Sequence, residues 1–320
     1  MRKGLKIFLI IPAVVLTAFL LLAVGGSWYI GEQVFEASTQ LVTPEETRTV
    51  SDSFWKKMNM DPDAFRAEYV VESISETSTF DGHVIPGEYI NAGGEHDKAV
   101  ILIHGLGGNR YSNYPLAKYF VERGFDVITY DQRSSNENTA ERTTYGYWEK
   151  HDVIDLMDYA QKKHPGIKLG LWGTSFGGAT AVQAVAALED QSRVSFMILD
   201  CPLGNVEYMI SSELDRMDLG IPTEYMLWLG NIFNKQKLGF SYEDADSIRI
   251  AKEVTVPALV INSRVDEMTP YFMGKEIYDN MKADKKEIWT VDDSEHACIW
   301  EDHGEEYRSR MDEFLSSVAD

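Results

Sequence analysis

Two features of the sequence predict an α/β fold with a doubly wound, mostly parallel sheet. Short apolar runs typical of buried strands alternate with longer segments of helical periodicity through most of the 320 residues. Polar or glycine-rich residues follow several of these runs, and ligands of such folds bind where the strands end. Crossover helices between the strands are expected near residues 112–123, 149–163, 177–189, 270–281 and 304–317.

The first 30 residues predict a signal anchor, a transmembrane helix that is retained in the protein. A basic cluster in residues 1–6 precedes an uncharged stretch over residues 7–30, which ends close to Trp28 and Tyr29. A helix of this length crosses about 30 Å of hydrocarbon, and these aromatic residues suit the membrane interface. Because the positive charges precede the apolar stretch, the N-terminus is expected to stay in the cytoplasm. The remainder of the chain is then expected outside the cytoplasm, at the cell membrane. The alternative is a secreted protein, cleaved at the small residues 23–25.

Residues 31–70 are predicted to form a polar helical stalk, and residues 71–320 a catalytic domain. The expected docking positions of the stalk are Phe54, Trp55 and Phe65. The catalytic domain should begin with two edge strands joined by a hairpin turn at residues 80–83, since Asp-Gly is a strong turn signal.

The motif Gly-Thr-Ser-Phe-Gly at residues 173–177 places Ser175 at the apex of a sharp turn. An apolar run over residues 167–172 precedes it, and a helix of small residues begins at residue 178. A serine on such a turn is forced out of the sheet, and the flanking glycines allow helix and strand to approach closely. Ser175 is therefore the candidate nucleophile. The alternative is a structural glycine turn, which the strand–turn–helix context disfavours.

A second glycine-rich turn at residues 104–108 follows the apolar strand at residues 99–103. Its free backbone N–H groups should lie beside the serine, so the N–H groups of Leu106 and Phe176 are assigned to the oxyanion hole. His104 is interpreted as a structural histidine that braces this turn. The alternative, a catalytic base, is disfavoured because the expected chain order places the base last.

Two further polar residues follow the last predicted strands. Asp266 comes after the strand at residues 256–262 and is the candidate orienting carboxylate, with Glu267 as its competitor. His296 comes after the strand at residues 287–291 and is the candidate base. Serine, aspartate and histidine in this order, each after a strand, are the pattern of a catalytic triad on an open α/β sheet.

The alternation of strands and helices lapses in the segment before the strand at 256–262, which predicts a helical cap insertion over about residues 203–252. Such an insertion would cover the ends of the strands, and its methionines and aromatic residues would suit an apolar acyl or aryl group. The candidate binding residues are Met209, Met226 and Trp228. Ordinary packing of two helices is the alternative for each of them.

These motifs resemble those of the α/β-hydrolase superfamily, and more narrowly of its bacterial serine hydrolases in the prolyl-oligopeptidase and esterase branch. The matching residues are the turn at 104–108, Tyr130-Asp131-Gln132-Arg133, the turn at 173–177, Asp266 with Pro270, and Glu295-His296-Ala297. The resemblance implies that Ser175 is the nucleophile, His296 the base and Asp266 the third member of the triad. It also implies that the backbone N–H groups of Leu106 and Phe176 are the oxyanion donors. After residue 133 such chains often continue with Gly-His-Gly, whereas this chain has Ser-Ser-Asn-Glu-Asn.

The sequence thus predicts a serine hydrolase that cleaves an ester through an acyl-enzyme on the outer side of the membrane. A serine peptidase or amidase acting on short peptides is one alternative, and a membrane-tethered binding protein without turnover is another. The expected partners are a small ester or peptide and the membrane, without a cofactor. A net charge of −21 disfavours nucleic acid.

Metal catalysis and a disulfide framework are not expected. His296 and His303, with two nearby carboxylates, lack the helical two-histidine pattern of a zinc site. The two cysteines of the chain, Cys201 and Cys298, are expected to be unpaired buried thiols, although a bridge between them is the alternative.

Overall fold

A computed structural model describes residues 2–57, 60–94 and 97–318 of the chain. The chain forms two compact units. The sheet unit contains Gln40–Val206 and Glu243–Asp320, and the anchor unit contains Met1–Thr39 and Glu207–Tyr242.

The sheet unit is built on eight strands in the order β1-β2-β4-β3-β5-β6-β7-β8. The strands are β1 (Val70–Thr77), β2 (Val84–Asn91), β3 (Lys98–Ile103), β4 (Asp126–Tyr130), β5 (Lys168–Thr174), β6 (Val194–Asp200), β7 (Ala258–Ser263) and β8 (Lys286–Val291). Strand β2 pairs antiparallel with β1 and β4, and all other pairs are parallel. The predicted doubly wound, mostly parallel sheet is confirmed, and the expected turn at residues 80–83 joins β1 to β2.

Twelve α-helices lie in the part of the chain that the structure describes. They are α1 (Arg2–Thr39), α2 (Pro44–Lys57), α3 (Pro62–Glu68), α4 (Tyr114–Val121), α5 (Glu149–Lys163), α6 (Phe176–Ala187), α7 (Val206–Met217), α8 (Thr223–Leu238), α9 (Ser247–Ile250), α10 (Tyr271–Asn280), α11 (Ile299–Asp302) and α12 (Gly304–Val318). Four of the five expected crossover helices correspond to α4, α5, α6 and α10. A helix is also present at the fifth position, α12, but it follows the last strand, β8, and so it is not a crossover between strands.

Both faces of the sheet are covered, because successive side chains of a buried strand point to opposite faces. In β3, Ile101 and Ile103 pack with α5, α6 and α10, whereas Val100 and Leu102 pack with α4 and α12. The central strands are therefore apolar along their whole length, as parallel strands buried on two sides require.

The anchor unit consists of α1 and the helical insertion that contains α7 and α8. Helix α1 continues to Thr39, past the boundary expected at residue 30, because its last turns pack within the unit: Val34 and Phe35 are buried. In the described part of the chain, one segment, Leu16–Thr39, is long and apolar enough to cross a membrane.

Helices α2 and α3, which fall in the predicted stalk, belong to the sheet unit. The indole N–H of Trp55 donates to the carbonyl oxygen of Tyr111 at 3.1 Å. Phe65 is buried and stacks on Tyr114 with 4.3 Å between ring centroids. Two of the three expected docking positions therefore make contacts in the sheet unit, and the side chain of Phe54 lies outside the described residues.

A close approach between β5 and β6 yields a prediction on stability. A Cβ atom on Gly170 would lie 2.0 Å from the ring of Phe196 in the neighbouring strand. Gly170→Ala is therefore expected to lower the free energy of unfolding by about 1–3 kcal/mol, the usual cost of overpacking a core. Urea unfolding of the full chain in detergent measures this change. In the double variant, Phe196→Leu should recover part of the unfolding free energy that Gly170→Ala removes. If the losses of the two single variants simply added in the double variant, the contact between these residues would be contradicted.

Candidate active site

Ser175 lies in a strained turn between β5 and α6. Its backbone adopts φ 53° and ψ −116°, a conformation that L-residues rarely adopt. A Cβ atom on Gly177 would lie 2.1 Å from the carbonyl oxygen of Ile103, so that position tolerates only glycine. The predicted sequence of strand, sharp turn and helix is therefore present, with the serine at its apex.

The structure brings Ser175, His296 and Asp266 together. The Nε2 atom of His296 lies 2.9 Å from Ser175 Oγ, and its Nδ1 atom lies 2.7 Å from Asp266 Oδ2. An ionised carboxylate can only accept, so Nδ1 carries the proton and Nε2 is left to accept from the serine hydroxyl. These distances and this tautomer suit proton transfer from the serine to the histidine.

Asp266 is held by several donors besides His296. Its Oδ1 atom accepts from the backbone N–H groups of Met268 and Thr269, both at 2.9 Å, and its Oδ2 atom accepts from the Thr269 hydroxyl at 3.0 Å. Burial raises the pKa of Asp266, but the hydrogen bond and charge of His296 and the donors of Thr269 outweigh burial, so this pKa lies below its usual value. The competing carboxylate, Glu267, is exposed.

The predicted oxyanion donors lie on segments that adjoin the serine. A Cβ atom on Gly105 would lie 3.4 Å from the Cβ atom of Ser175, which places the turn containing Leu106 next to the nucleophile. Phe176 is the first residue of α6, and the first N–H groups of a helix have no acceptor within it. Binding of an oxyanion by these two N–H groups remains a prediction.

His104 braces the glycine-rich turn. Its Nε2 atom accepts from the backbone N–H of Gln132 at 2.9 Å, so its Nδ1 atom carries the proton and donates to the Gly105 carbonyl at 2.8 Å. Burial lowers the pKa of His104 to about 4, which keeps the ring neutral. Both ring nitrogens are thus engaged in holding the turn, in agreement with its interpretation as a structural histidine.

The segment at residues 134–138, where the chain departs from the family pattern, anchors helix α2. The guanidinium of Arg48 on α2 donates to the side-chain and backbone oxygens of Asn136 at 3.1 and 3.0 Å. The amide group of Asn136 in turn donates to Asp131 at 3.0 Å, and Asp131 accepts from the backbone N–H of Arg110 at 2.9 Å. Four of these five loop residues are buried, so the loop fixes α2 on the sheet unit.

A cavity of about 320 Å³ in the sheet unit adjoins the triad. Gly105, Thr174 and Ala297 in its wall are neighbours of the turns that carry the serine and the histidine. Its apolar lining includes Val50, Leu106, Leu116, Trp172 and Trp300. Sequence reasoning missed Val50, Leu116 and Trp300, because they come from three separate helices and carry no local signal.

Asp200 is a second buried carboxylate close to the triad. Its backbone oxygen accepts from the N–H of Ser175 at 2.8 Å, and its Oδ2 atom accepts from the hydroxyl of Tyr307 at 3.0 Å. Burial raises the pKa of Asp200 to about 6, and hydrogen bonds from Tyr307 and Cys201 oppose this effect. Neither Asp200 nor Thr269 is identified by the sequence motifs.

No disulfide joins the two cysteines in the described part of the chain, and Cys201 is buried whereas Cys298 is half-buried. The Cys201 thiol, Asp266 and His296 lie within 4.8 Å of one another, as metal ligands would. Burial, together with the nearby Asp200 and Asp266 carboxylates, raises the pKa of Cys201 well above its usual value, so the thiol stays protonated. Because Nδ1 of His296 already bonds Asp266, these groups do not fit a metal site.

The predicted binding residues of the insertion lie in the anchor unit. Met226 is buried, Met209 is half-buried, and Trp228 is 58% exposed. Their contact with a substrate remains a prediction.

The chain is similar to known proteins in sequence and in structure. Residues 98–231 match a family model described as alpha/beta hydrolase fold. The Bacillus subtilis (strain 168) protein YqkD is 25% identical over 243 residues, which cover 75% of this chain and 77% of YqkD. YqkD is described as uncharacterized.

Two solved structures share the fold. The Pyrococcus furiosus esterase Pf2001 has a TM-score of 0.65 at 20% identity, over 81% of this chain and 96% of the esterase. The Pyrococcus horikoshii acylaminoacyl peptidase has a TM-score of 0.60 at 17% identity, over 80% of this chain and 43% of the peptidase.

The buried carboxyl of Asp200 predicts a pH-dependent gain in stability for Asp200→Asn. Its folded pKa of about 6 lies above the unfolded value near 3.8, so the folded wild type loses stability as the pH rises from about 4 to 6, and this loss is complete above pH 6. The variant should therefore gain up to about 3 kcal/mol of unfolding free energy at pH 8, two pKa units being worth that much. The gain should shrink as the pH falls from 6 towards 4. Urea unfolding at pH 8 and pH 4 measures it, and a variant less stable than wild type at pH 8 would contradict the assignment.

Proposed function

We propose that this chain, which has the α/β-hydrolase fold, is a serine hydrolase of the esterase and peptidase branch that cleaves carboxylic esters. The resemblance predicted from the sequence is thereby confirmed at the level of the fold. The observation that carries the proposal is the hydrogen-bonded series from Ser175 Oγ through His296 to Asp266, with distances of 2.9 and 2.7 Å.

In the first half of the proposed reaction, Ser175 Oγ attacks the ester carbonyl carbon while its proton passes to Nε2 of His296. Asp266 holds the ring in the required orientation and stabilises the imidazolium. The carbonyl oxygen becomes an oxyanion, which accepts from the N–H groups of Leu106 and Phe176. Collapse of this intermediate breaks the C–O bond, and the departing alkoxide takes the proton from His296.

In the second half, water replaces the alcohol. His296 Nε2 takes a proton from the water as the water oxygen attacks the acyl carbon, and then returns it to Ser175 Oγ as the carboxylic acid leaves. The same groups at the same distances therefore serve both halves, and no further reactant is needed.

The cavity beside the triad supports an ester with an apolar acyl or alcohol group. Its wall is mostly apolar, and its volume of about 320 Å³ is at the small end of ligand pockets. The amide group of Asn113 in this wall already donates to Leu102 and Thr129, at 3.1 and 3.2 Å. An apolar substituent therefore matches most of the lining. The buried Thr174 hydroxyl in the same wall has no hydrogen-bond partner among the described residues and can bond one polar group of the substrate, such as an ester oxygen.

We also propose that α1 anchors the enzyme in the membrane, with the sheet unit on the extracytoplasmic side. The support is the Leu16–Thr39 segment and its exposed apolar side chains, among them Leu21 and Leu22, which are 68% and 76% exposed. A net charge of −21 argues against nucleic acid as a partner.

A fluorophosphonate probe tests the nucleophile. The wild-type chain should be labelled, and Ser175→Ala should not, since the probe needs an activated serine. Ser309→Ala is the matched control, because Ser309 is an exposed serine on α12, and its labelling should equal that of the wild type. His296→Ala should lower ester turnover by about three orders of magnitude or more. Equal labelling of Ser175→Ala, or near-normal turnover of His296→Ala, would contradict the assignment.

A panel of p-nitrophenyl esters and aminoacyl anilides, assayed with the same preparation, separates the three candidate functions. The proposed esterase should hydrolyse the esters with the higher kcat/KM. Preference for the anilides would favour the peptidase, and an unlabelled chain without turnover would favour the binding protein.

Substitution of Val50 tests whether the cavity receives the substrate. Val50→Trp should fill part of the cavity and lower kcat/KM for long-chain esters about tenfold, equivalent to 1.4 kcal/mol, with little effect on the acetate. Asp52→Trp is the control, because Asp52 is an exposed residue of the same helix. An unchanged chain-length profile for Val50→Trp would show that the substrate binds elsewhere.

A further inference from the structure

We propose that the helical insertion is a second membrane-contacting element. In this proposal the turn at residues 217–222 and the first turns of α8 lie in the lipid headgroup region beside α1. The inference rests on the membrane anchor of the proposed function and is independent of the reaction that the enzyme catalyses.

The first observation is that α1 and α8 run parallel. Contacts join α1 and α8 along their length: Ser27 with Tyr225, Gly31 with Leu229 and Phe233, Val34 with Gly230, and Glu36 with Lys237. The Ser27 and Tyr225 hydroxyl oxygens lie 2.5 Å apart, and Lys237 Nζ lies 3.5 Å from Glu36 Oε1. From the Ser27 contact to the Glu36 contact the residue numbers rise along both helices, which makes the pair parallel, and the large ring of Phe233 reaches back to Trp28 and Gly31.

This register sets the depth of α8 relative to the apolar span. Helix α8 begins at Thr223, close to the residue whose hydroxyl meets Ser27. Ser27 lies at the end of the apolar stretch, directly before the aromatic pair Trp28 and Tyr29 that suits the membrane interface. The N-terminal end of α8 is therefore at the level of the interface, and its C-terminal end points away from the membrane.

The second observation is that apolar side chains are exposed at this end of the insertion. Met217 and Leu219 are each 56% exposed, and Trp228 is 58% exposed. The rings of Tyr225 and Trp228 stack with 6.1 Å between their centroids. Tyr225 in this group contacts Ser27 of α1, next to Trp28, which is also 58% exposed. An exposed apolar surface that adjoins a membrane span is expected to contact lipid.

The charges near this surface indicate how deep in the bilayer it lies and which lipid headgroups it contacts. Asp215, Asp218 and Glu224 flank the exposed apolar side chains, and each is exposed. The exposed Arg216 in the same segment is paired with Glu213, so the charge of this surface is negative on balance. Carboxylates oppose insertion into the hydrocarbon core and repel anionic headgroups. The surface therefore fits the headgroup region of a zwitterionic bilayer such as phosphatidylcholine.

An environment-sensitive fluorophore on single cysteines tests the proposal in the full chain. The label is attached to Leu219→Cys in a Cys201→Ala/Cys298→Ala background, and the protein is reconstituted in phosphatidylcholine vesicles that contain a nitroxide-labelled lipid. Gln236→Cys is the matched control, because Gln236 is exposed on the same helix, about 16 Å beyond Tyr225 at 1.5 Å per residue. Lipid nitroxide should quench the label at 219 about twofold or more beyond the label at 236.

Two further labels make the outcome decisive. Met217→Cys repeats the measurement at an equally exposed position, in case one variant folds poorly. Leu21→Cys reports on the apolar span itself. Quenching at 21 without excess quenching at 217 or 219 overturns the contact by the insertion and leaves the proposed anchor intact. Absence of quenching at 21 shows that the anchor is wrong, and the inference then fails with it.

Discussion

The two hydrogen bonds of the His296 ring depend on the parallel direction of three strands. Ser175 follows β5 directly, Asp266 follows β7 by three residues, and His296 follows β8 by five residues. Parallel strands place their carboxyl ends at one edge of a sheet, so side chains that are distant in the chain become neighbours there. The imidazole can then contact a hydroxyl on one side and a carboxylate on the other. Without this common edge none of the proposed chemistry is possible.

The position of the Ser175 hydroxyl also depends on local strain that the surrounding structure maintains. The left-handed backbone of Ser175 is stabilised by its hydrogen bond to the Asp200 carbonyl and by the close approach of Gly177 to β3. His104 holds the adjoining turn with both ring nitrogens. The hydroxyl and the segments that carry the oxyanion donors are thus positioned before a substrate arrives, and such preorganisation is a major source of catalytic power.

Sequence patterns within one short segment were sufficient to predict those parts of the structure that depend on that segment alone. The apolar runs predicted the central strands, and the Gly-Thr-Ser-Phe-Gly motif predicted the turn at Ser175. The roles of Thr269, Asp200 and Val50 could not be read in the same way, because each arises where segments far apart in sequence meet. The length of α1 was underestimated for the same reason: Val34 and Phe35 are retained in the helix by packing within the anchor unit. The predicted triad residues therefore lie together at the strand ends, whereas their roles remain predictions.

The central claim is that Ser175 forms a covalent acyl intermediate, and rapid quenching followed by mass spectrometry tests it most directly. The full chain is mixed with p-nitrophenyl acetate, stopped in acid within the first turnover and digested. The account predicts one acetyl group per chain on the peptide that contains Ser175, formed with an equal burst of p-nitrophenol. An acetyl group on a different residue, or steady release of p-nitrophenol without any covalent intermediate, would contradict it.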